Sequence, residues 1–495
     1  MQRSEMLQRA SQPGQPWDLL VIGGGATGLG IAVDAAARGH AVLLAERADF
    51  AQGTSSRSTK LIHGGVRYLQ QGRLGLVREA LGERQRLVRN APHLVHPLPF
   101  VVPSYAWWES AFYGSGLKLY DLLAGHDGFG PSRHLNREQV IAALPGIATA
   151  GLRGGTRYVD GQFDDARLAI ALAQTAASQG ATLLNYCPVV ALAKQGDRVA
   201  GAVLCDAESG QEFTVAARLV INATGPFSDE VRRLDDPDAA PLIAPSRGSH
   251  LVLPRAFMAG DSALLVPRTA DGRIIFIIPW QGRVLVGTTD LPVPQATPEP
   301  VALPEEIDFL LGTANRYLAR PAGRSDVLSV FAGIRPLVAA NGANSASLSR
   351  EHTLLVDPRS GLLSVAGGKW TTYRRMAEAA VDLAERLAAL PARPCPTATL
   401  PIARPGIAEA TPPLHPALPL TAGEVRRACR EEMARRLEDV LMRRSACLLL
   451  DASVALAIAP EVAGLMAEEL GRDADWVRRE IEDFTALATG YRVAG

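Results

Sequence analysis

The 495-residue chain is expected to be an α/β protein, with a Rossmann-like nucleotide-binding domain, an antiparallel-sheet substrate domain and a C-terminal helical domain. Three observations predict this. Residues 18–22 (DLLVI), 26–38 and 41–46 (AVLLAE) read as strand, helix and strand, the βαβ unit of a parallel sheet. Residues 242–290 hold the runs LIAPSRGSHLVL, RIIFIIPW and RVLVGTTD, with alternation and turn signals such as Asp271-Gly272 that suit an antiparallel sheet. Past a proline-dense stretch at about 388–420, apolar residues recur at helical spacing to the end of the chain.

The first segment, residues 1–17, carries charges and prolines where a secretory signal needs an apolar run, and is expected to be a short tail. Residues 18–390 are expected to interleave the nucleotide and substrate domains, the substrate parts lying at about 90–165 and 240–330. Between them, TLLNYCPVVALA, RVAGAVLCDA and RLVINATG read as short strands, the last running into a glycine turn. Residues 391–420 are the linker and 421–495 the helical domain, whose first helix opens on Thr421 and Glu424 in capping-box spacing. TAGEVRRACREEMARRLEDVLMRRSA and APEVAGLMAEELGRDADWVRREIEDFTALA have helical apolar spacing. Glycines and Asp34 interrupt the low-charge stretch 18–37, and Asp451 and Pro460 interrupt 446–470, so neither is expected to span a bilayer. A cytoplasmic or peripheral protein is expected.

Composition narrows the function. The hydrophobic fraction of 47% and charged fraction of 21% are those of a globular protein. Lys plus Arg and Asp plus Glu both total 51, so no global positive field exists to hold nucleic acid. Cys187, Cys205, Cys395, Cys429 and Cys447 are far apart, with no histidine at metal-ligand spacing, and no metal is expected.

Gly23-Gly24-Gly25-Ala26-Thr27-Gly28 is a GxGxxG that ends one strand and opens a helix, with Glu46 at the end of the next strand. Gly23 permits the tight turn, Gly25 admits a pyrophosphate to the backbone, and Gly28 lets helix pack on strand, while Glu46 is placed to accept from a ribose hydroxyl. The motif points to a dinucleotide without choosing between FAD and NAD. Residues 54–68, TSSRSTKLIHGGVRY, combine small hydroxyl residues, a histidine and paired glycines as in a loop pressed against a cofactor.

These motifs, with DDARL at 164–168, NATGPFSD at 222–229, GSHLVLPR at 248–255, IIPW, VGTTD, GIRPL at 333–337 and GGKWTTYRRMAE at 367–378, resemble the bacterial quinone-linked FAD-dependent glycerol-3-phosphate dehydrogenases over nearly the whole chain. The resemblance implies FAD held by Gly23, Gly25, Ala26, Thr27, Gly28, Glu46, Arg47, Thr54, Ser55, Ser56, Thr59, Lys60, Leu61, His63, Gly64, Gly65, Val189, Ala223, Thr224, Gly225, Gly333, Gly368, Lys369 and Thr371. It implies glycerol 3-phosphate bound by Arg67, Tyr68, His250, Arg335, Lys369, Thr371 and Thr372, with His250 as general base and Arg335 and Lys369 beside it in catalysis. Gly367, Gly368 and Lys369 would stand at a helix N-terminus facing the N1–C2 edge of the flavin. Dihydroxyacetone phosphate is the implied product, membrane quinone the acceptor, the inner face of the cytoplasmic membrane the location, and a homodimer the expected assembly.

The chain departs from the family pattern at Arg57, at about 105–135 and in the loosely matching C-terminal domain. No oxidase-type insertion is evident, which favours a dehydrogenase. The rival readings are an amino-acid or 2-hydroxy-acid enzyme on the same FAD layer, and a flavoprotein scaffold without turnover. For membrane contact, YAWWESAFYGSGLKLYDLL at 105–123 offers Trp107, Trp108, Phe112, Tyr113, Leu117 and Tyr120 with Lys118, aromatics that suit either a headgroup layer or a domain interior. Arg435, Arg436, Arg443 and Arg444 are a second candidate, or a solvated helix face.

Overall fold

The structure is a computed structural model that describes all residues except 13, 15, 66–72, 126–127, 268, 270–271, 340–351 and 494–495. Strand Trp17–Ile22 pairs in parallel with Val42–Ala45 on one side and Glu212–Asn222 on the other, Val21 lying between Leu44 and Ile221. Thr182–Leu184 and Leu363–Ala366 extend the parallel layer outward on either side. Alternate residues of a strand face opposite ways. Leu19 and Val21 pack with Leu29, Leu172 and Val381 of the helices Ala26–Ala37, Asp165–Ser178 and Tyr373–Leu387, while Leu20 and Ile22 face a second core with Leu204 and Met6. Both faces are covered, which is why these strands read as unbroken apolar runs.

Met6 belongs to an element the tail expectation overlooked. Residues Arg3–Ser11 are a helix whose Arg3 guanidinium donates to the Asn185 carbonyl and reaches Asp206 at 2.6 Å, with Met6 and Ala10 buried. The first residues cover the outer face of the sheet, because a parallel layer cannot leave that face in water.

The second sheet has ten strands and is mostly antiparallel. It draws on Leu61–Ile62, Val95–Ser104, Arg133–Asn136, Gly154–Phe163, Ile243–Pro254, Ala263–Val266, Ile275–Trp280, Arg283–Gly287, Leu291–Pro292 and Ser329–Val338. The chain therefore crosses between sheets repeatedly, and the second sheet runs on to Val338 and takes in 61–62, beyond the stretches expected for the substrate domain. One face carries Val101, Leu251 and Val286 against the helix Pro304–Asn315, and the other carries Phe100, Val252 and Phe331 against the C-terminal residues.

Residues 391–412 contain no helix or strand, and a short hairpin, Pro413–His415 with Leu418–Thr421, precedes the helical domain. Thr421 and Glu424 form the expected capping box. The helical spacing read over 421–446 is interrupted in the structure: the first helix stops at Glu431, Met433 has φ of 56°, and Asp439–Arg444 form a π-helical turn. The cause is ionic. The turn aims Arg443 and Arg444 inward at Asp49, 2.5 Å from each, with Asp439 also on Arg443. This removes Arg443 and Arg444 from any lipid-facing surface, and Arg435 and Arg436 are paired with Glu208 and with Asp483.

Candidate active site

A cavity of about 680 Å³ lies between residues of both sheets. That volume suits a small-molecule or cofactor site. Its lining includes Gly23, Gly25, Ala26, Thr27, Glu46 and Arg47, and Thr54, Ser55, Thr59, Leu61, His63, Gly65 and Val189. Ala223, Thr224, Gly225, Gly333, Gly368, Lys369 and Thr371 complete the set, and His250 and Arg335 line the same space.

The glycine turn is tested by what a side chain would meet there. A Cβ on Gly28 would lie 1.9 Å from the Gly23 carbonyl oxygen, and one on Gly23, which has φ of 109°, would lie 2.8 Å from that of Ala223. Backbone packs directly on backbone, which brings the N-terminus of helix Ala26–Ala37 to the cavity, where the Ala26 amide donates to the Ser55 hydroxyl at 2.9 Å. Such an end supplies amide donors and the positive pole of the helix to a pyrophosphate, so the residues fit a dinucleotide. Glu46 does more than wait for a ribose: its carboxylate accepts from the Gly24 amide at 2.6 Å and the Ala48 amide at 3.0 Å, holding the turn in shape. Burial raises its pKa against the pull of those two amides.

His250 sits on strand Ile243–Pro254, opposite Phe331 and Gly287. Its ring stacks on Phe331 at 4.8 Å, and its Nε2 is 2.9 Å from the Thr59 hydroxyl. A Cβ on Gly287 would come within 2.1 Å of the imidazole, so the ring needs glycine there. Burial first, then the charges of Arg335 and Lys60, hold His250 well below the ordinary histidine value of 6.5. The imidazole is therefore neutral at physiological pH, and among the described residues its buried Nδ1 has no hydrogen-bond partner.

Arg335 lies on strand Ser329–Val338, and its guanidinium donates to Asp290 at 3.1 Å, the Thr289 carbonyl at 2.9 Å and the Thr288 hydroxyl at 3.2 Å. Lys369 and Thr371 come from the turn before helix Tyr373–Leu387, where Gly367 and Gly368 have φ of 74° and 82°. A side chain on Gly368 would strike the Met376 sulfur at 2.1 Å.

Several expected contacts lie elsewhere. Lys60 is buried, donating to the Ser56 carbonyl and to Asp165, each at 2.6 Å, and is not among the residues that line the cavity. Asp165 also accepts from the Ser58 amide and hydroxyl, which pins the loop carrying Thr59. Ser56 is fully buried, Gly64 packs against Tyr120 and Leu81, and Gly28 serves packing alone. Thr372 donates to the Lys369 carbonyl and is not among the lining residues. Arg67 and Tyr68 lie outside the described residues. Residues that sequence reasoning missed include Asp290, Thr288 and Arg273, and the apolar wall of Phe100, Tyr158, Leu265, Ile274 and Phe276. Asp290 could have been found, since it closes the VGTTD block; the apolar wall could not, because its residues look like any core.

With that geometry in view, comparison with known proteins is informative. Residues 18–374 match the family model described as FAD dependent oxidoreductase, and residues 372–476 match the C-terminal domain of alpha-glycerophosphate oxidase. The mitochondrial glycerol-3-phosphate dehydrogenases of Macaca fascicularis and Homo sapiens are each 47% identical over 400 residues, 78% of this chain and 55% of theirs. This chain thus spans about half the length of those relatives. The crystal structure of the glycerol-3-phosphate dehydrogenase from Bacillus halodurans complexed with FAD superposes with a TM-score of 0.78 at 27% identity, covering 99% of this chain and 97% of that one. The L-alpha-glycerophosphate oxidase of Mycoplasma pneumoniae shares the fold, with a TM-score of 0.59 at 17% identity over 79% of this chain and 100% of that one.

Proposed function

Because this chain belongs to the FAD-dependent oxidoreductase family, we propose that it oxidises sn-glycerol 3-phosphate to dihydroxyacetone phosphate and delivers the electrons to a membrane quinone. The observation that carries this reading is that His250, Arg335, Lys369 and Thr371 line one cavity with the glycine turn. When bound, FAD supplies a two-electron acceptor for the C2 hydride. The protein does the rest. Arg335 and Lys369 supply cationic groups for a phosphate. His250, kept neutral by burial and by its cationic neighbours, takes the proton of the C2 hydroxyl. The Gly367-Gly368 turn lies at the cavity wall, where its backbone amides would stabilise negative charge on a bound flavin. An amino-acid or 2-hydroxy-acid substrate would use one arginine clamp, whereas two cationic side chains line this cavity. Purified protein, yellow with FAD, should bleach anaerobically on adding glycerol 3-phosphate and stay yellow with lactate or an amino acid; the reverse pattern would overturn the proposal.

Glu46 tests the cofactor half. Because both of its oxygens already accept from amides, Glu46→Gln turns an amide group toward an N–H donor, at a cost of about 1–3 kcal/mol for the unmet bond. FAD affinity measured by equilibrium dialysis should fall by about ten- to a hundredfold. Unchanged affinity would detach Glu46 from the dinucleotide site.

Quinone reduction requires contact with a bilayer, and no helix among the described residues is long and apolar enough to cross one. We assign docking to the helix Glu109–Ala124 and the residues before it, on the inner face of the cytoplasmic membrane. Trp107 is 82% exposed, Phe112 58% and Leu122 76%, with Trp108 and Leu119 also exposed, while Leu117 and Tyr120 are buried beneath. The helix thus presents an apolar outer face that no described residue covers, with aromatic rings suited to the headgroup layer. In vesicle co-sedimentation, Trp107→Ser with Trp108→Ser should bind less and reduce quinone more slowly while dye reduction is kept. Equal loss of both activities would return these side chains to a structural role.

A further inference from the structure

Arg335 is more tightly held than a surface-reaching arginine usually is. Its Nη1 donates to Asp290 at 3.1 Å and the Arg247 carbonyl at 3.4 Å, and its Nη2 to the Thr289 carbonyl at 2.9 Å and the Thr288 hydroxyl at 3.2 Å. The plane of the group lies over Gly248, where a Cβ would approach Nη2 to 2.4 Å and Cζ to 2.7 Å. The walls of this slot are themselves fixed. Asp290 accepts a hydrogen bond from the Ser246 hydroxyl, the Thr289 hydroxyl donates to Glu306 at 2.6 Å and accepts from the Ser249 amide at 2.8 Å, and Glu306 also pairs with Arg247 at 2.9 Å.

We propose that Asp290 is a positioning residue for Arg335, and that residues 247–248 and 288–290 form a preformed guanidinium slot at the cavity wall. A carboxylate beside an anion site weakens binding of a phosphate by repulsion, so Asp290 is not there for affinity. Its role is direction. A charge-assisted bond to Asp290, with the Arg247 and Thr289 carbonyls and the Thr288 hydroxyl on the remaining Nη hydrogens, leaves the side chain one orientation in place of several rotamers, and a cation fixed in advance loses little entropy on meeting its substrate. The glycine at 248 and the small hydroxyl residues at 246, 288 and 289 are what such a slot requires. This assignment rests on the substrate reading above for the role of Arg335, but the slot exists whatever the substrate.

The test is chemical rescue. Arg335→Ala empties the slot, and millimolar guanidinium should refill it, restoring glycerol 3-phosphate turnover by about tenfold or more, the worth of one charge-assisted bond. The same addition to Arg335→Ala with Asp290→Ala should give less than about twofold. Guanidinium occupancy is also read without turnover, from the concentration that half-saturates the change in flavin absorbance, and it should be weaker in the double variant. If that protein loses its flavin, Arg335→Ala with Asp290→Asn, of equal volume and no charge, takes its place with the same expectation. No rescue of Arg335→Ala, or equal rescue with and without the carboxylate, would overturn the slot. Failure of the wild type to oxidise glycerol 3-phosphate would instead sink the substrate reading, leaving the absorbance measurement to decide the slot alone.

Discussion

Arg335→Ala should lower turnover by about ten- to a hundredfold, since a cation beside the phosphate and one charge-assisted bond of about 1.5–3 kcal/mol disappear with the side chain. FAD should remain bound, because the guanidinium contacts Asp290, Thr288, Thr289 and Arg247 and none of the glycine turn. Steady-state kinetics beside the flavin-to-protein absorbance ratio checks both halves, and full activity at ordinary substrate concentration would remove Arg335 from the site. The pH profile carries a second signature. The charge of Arg335 ranks after burial among the causes that depress His250. In the wild type the neutral imidazole persists as pH falls below 6.5, so kcat/KM keeps its neutral-pH value past the point where an ordinary histidine would protonate. Taking away the arginine lifts the His250 pKa, and the acid limb of the residual activity should move upward. A limb that stays in place would mean that His250 is not the base.

The second large effect is on stability. Arg443→Ala leaves Asp49 and Asp439 buried with part of their counter-charge gone, and breaking a buried pair in this way costs about 3–5 kcal/mol. Burial alone would raise Asp49, but the charges of Arg444 and Arg443 overcome it and hold the carboxyl below its usual range; Asp439 is pushed up, by burial first and by Asp49 second. Without Arg443 the pKa of Asp439, already raised to about 6, moves further up and that of Asp49 loses part of its depression, so the native state of the variant binds more protons than that of the wild type as pH falls from neutral. The variant should therefore recover stability relative to the wild type as pH falls from neutral toward 5, and urea denaturation of both at two pH values reads this directly. FAD affinity should fall with it, because Asp49 is in the loop that Glu46 opens. A loss that does not shrink on acidification would argue that packing around the π-helical turn, and not charge, is what the arginine supplies.

The sequence by itself determined the nucleotide layer. A GxGxxG between strand and helix has few other uses, and DLLVI and VLLA are too uniformly apolar for anything but a strand covered on both faces. It also singled out Thr54, Ser55, Thr59, His250, Arg335 and Lys369, and the fold brings these to one cavity from four separate stretches of chain. What it could not separate was a side chain facing the cavity from a neighbour facing the core. Thr59 and Lys60 are adjacent and both polar, yet one meets His250 and the other is buried on Asp165, because Lys60 takes a backbone φ of 62° that turns it inward. Charge patterns failed for a related reason. Arg443 and Arg444 look like a solvated helix face until Asp49, distant in the chain, is seen between them, and Arg3 looks like a tail residue until it meets Asp206. Whether an arginine faces water or a buried carboxylate depends on partners that only the tertiary fold supplies, and the same dependence left Asp290 unnoticed beside Arg335.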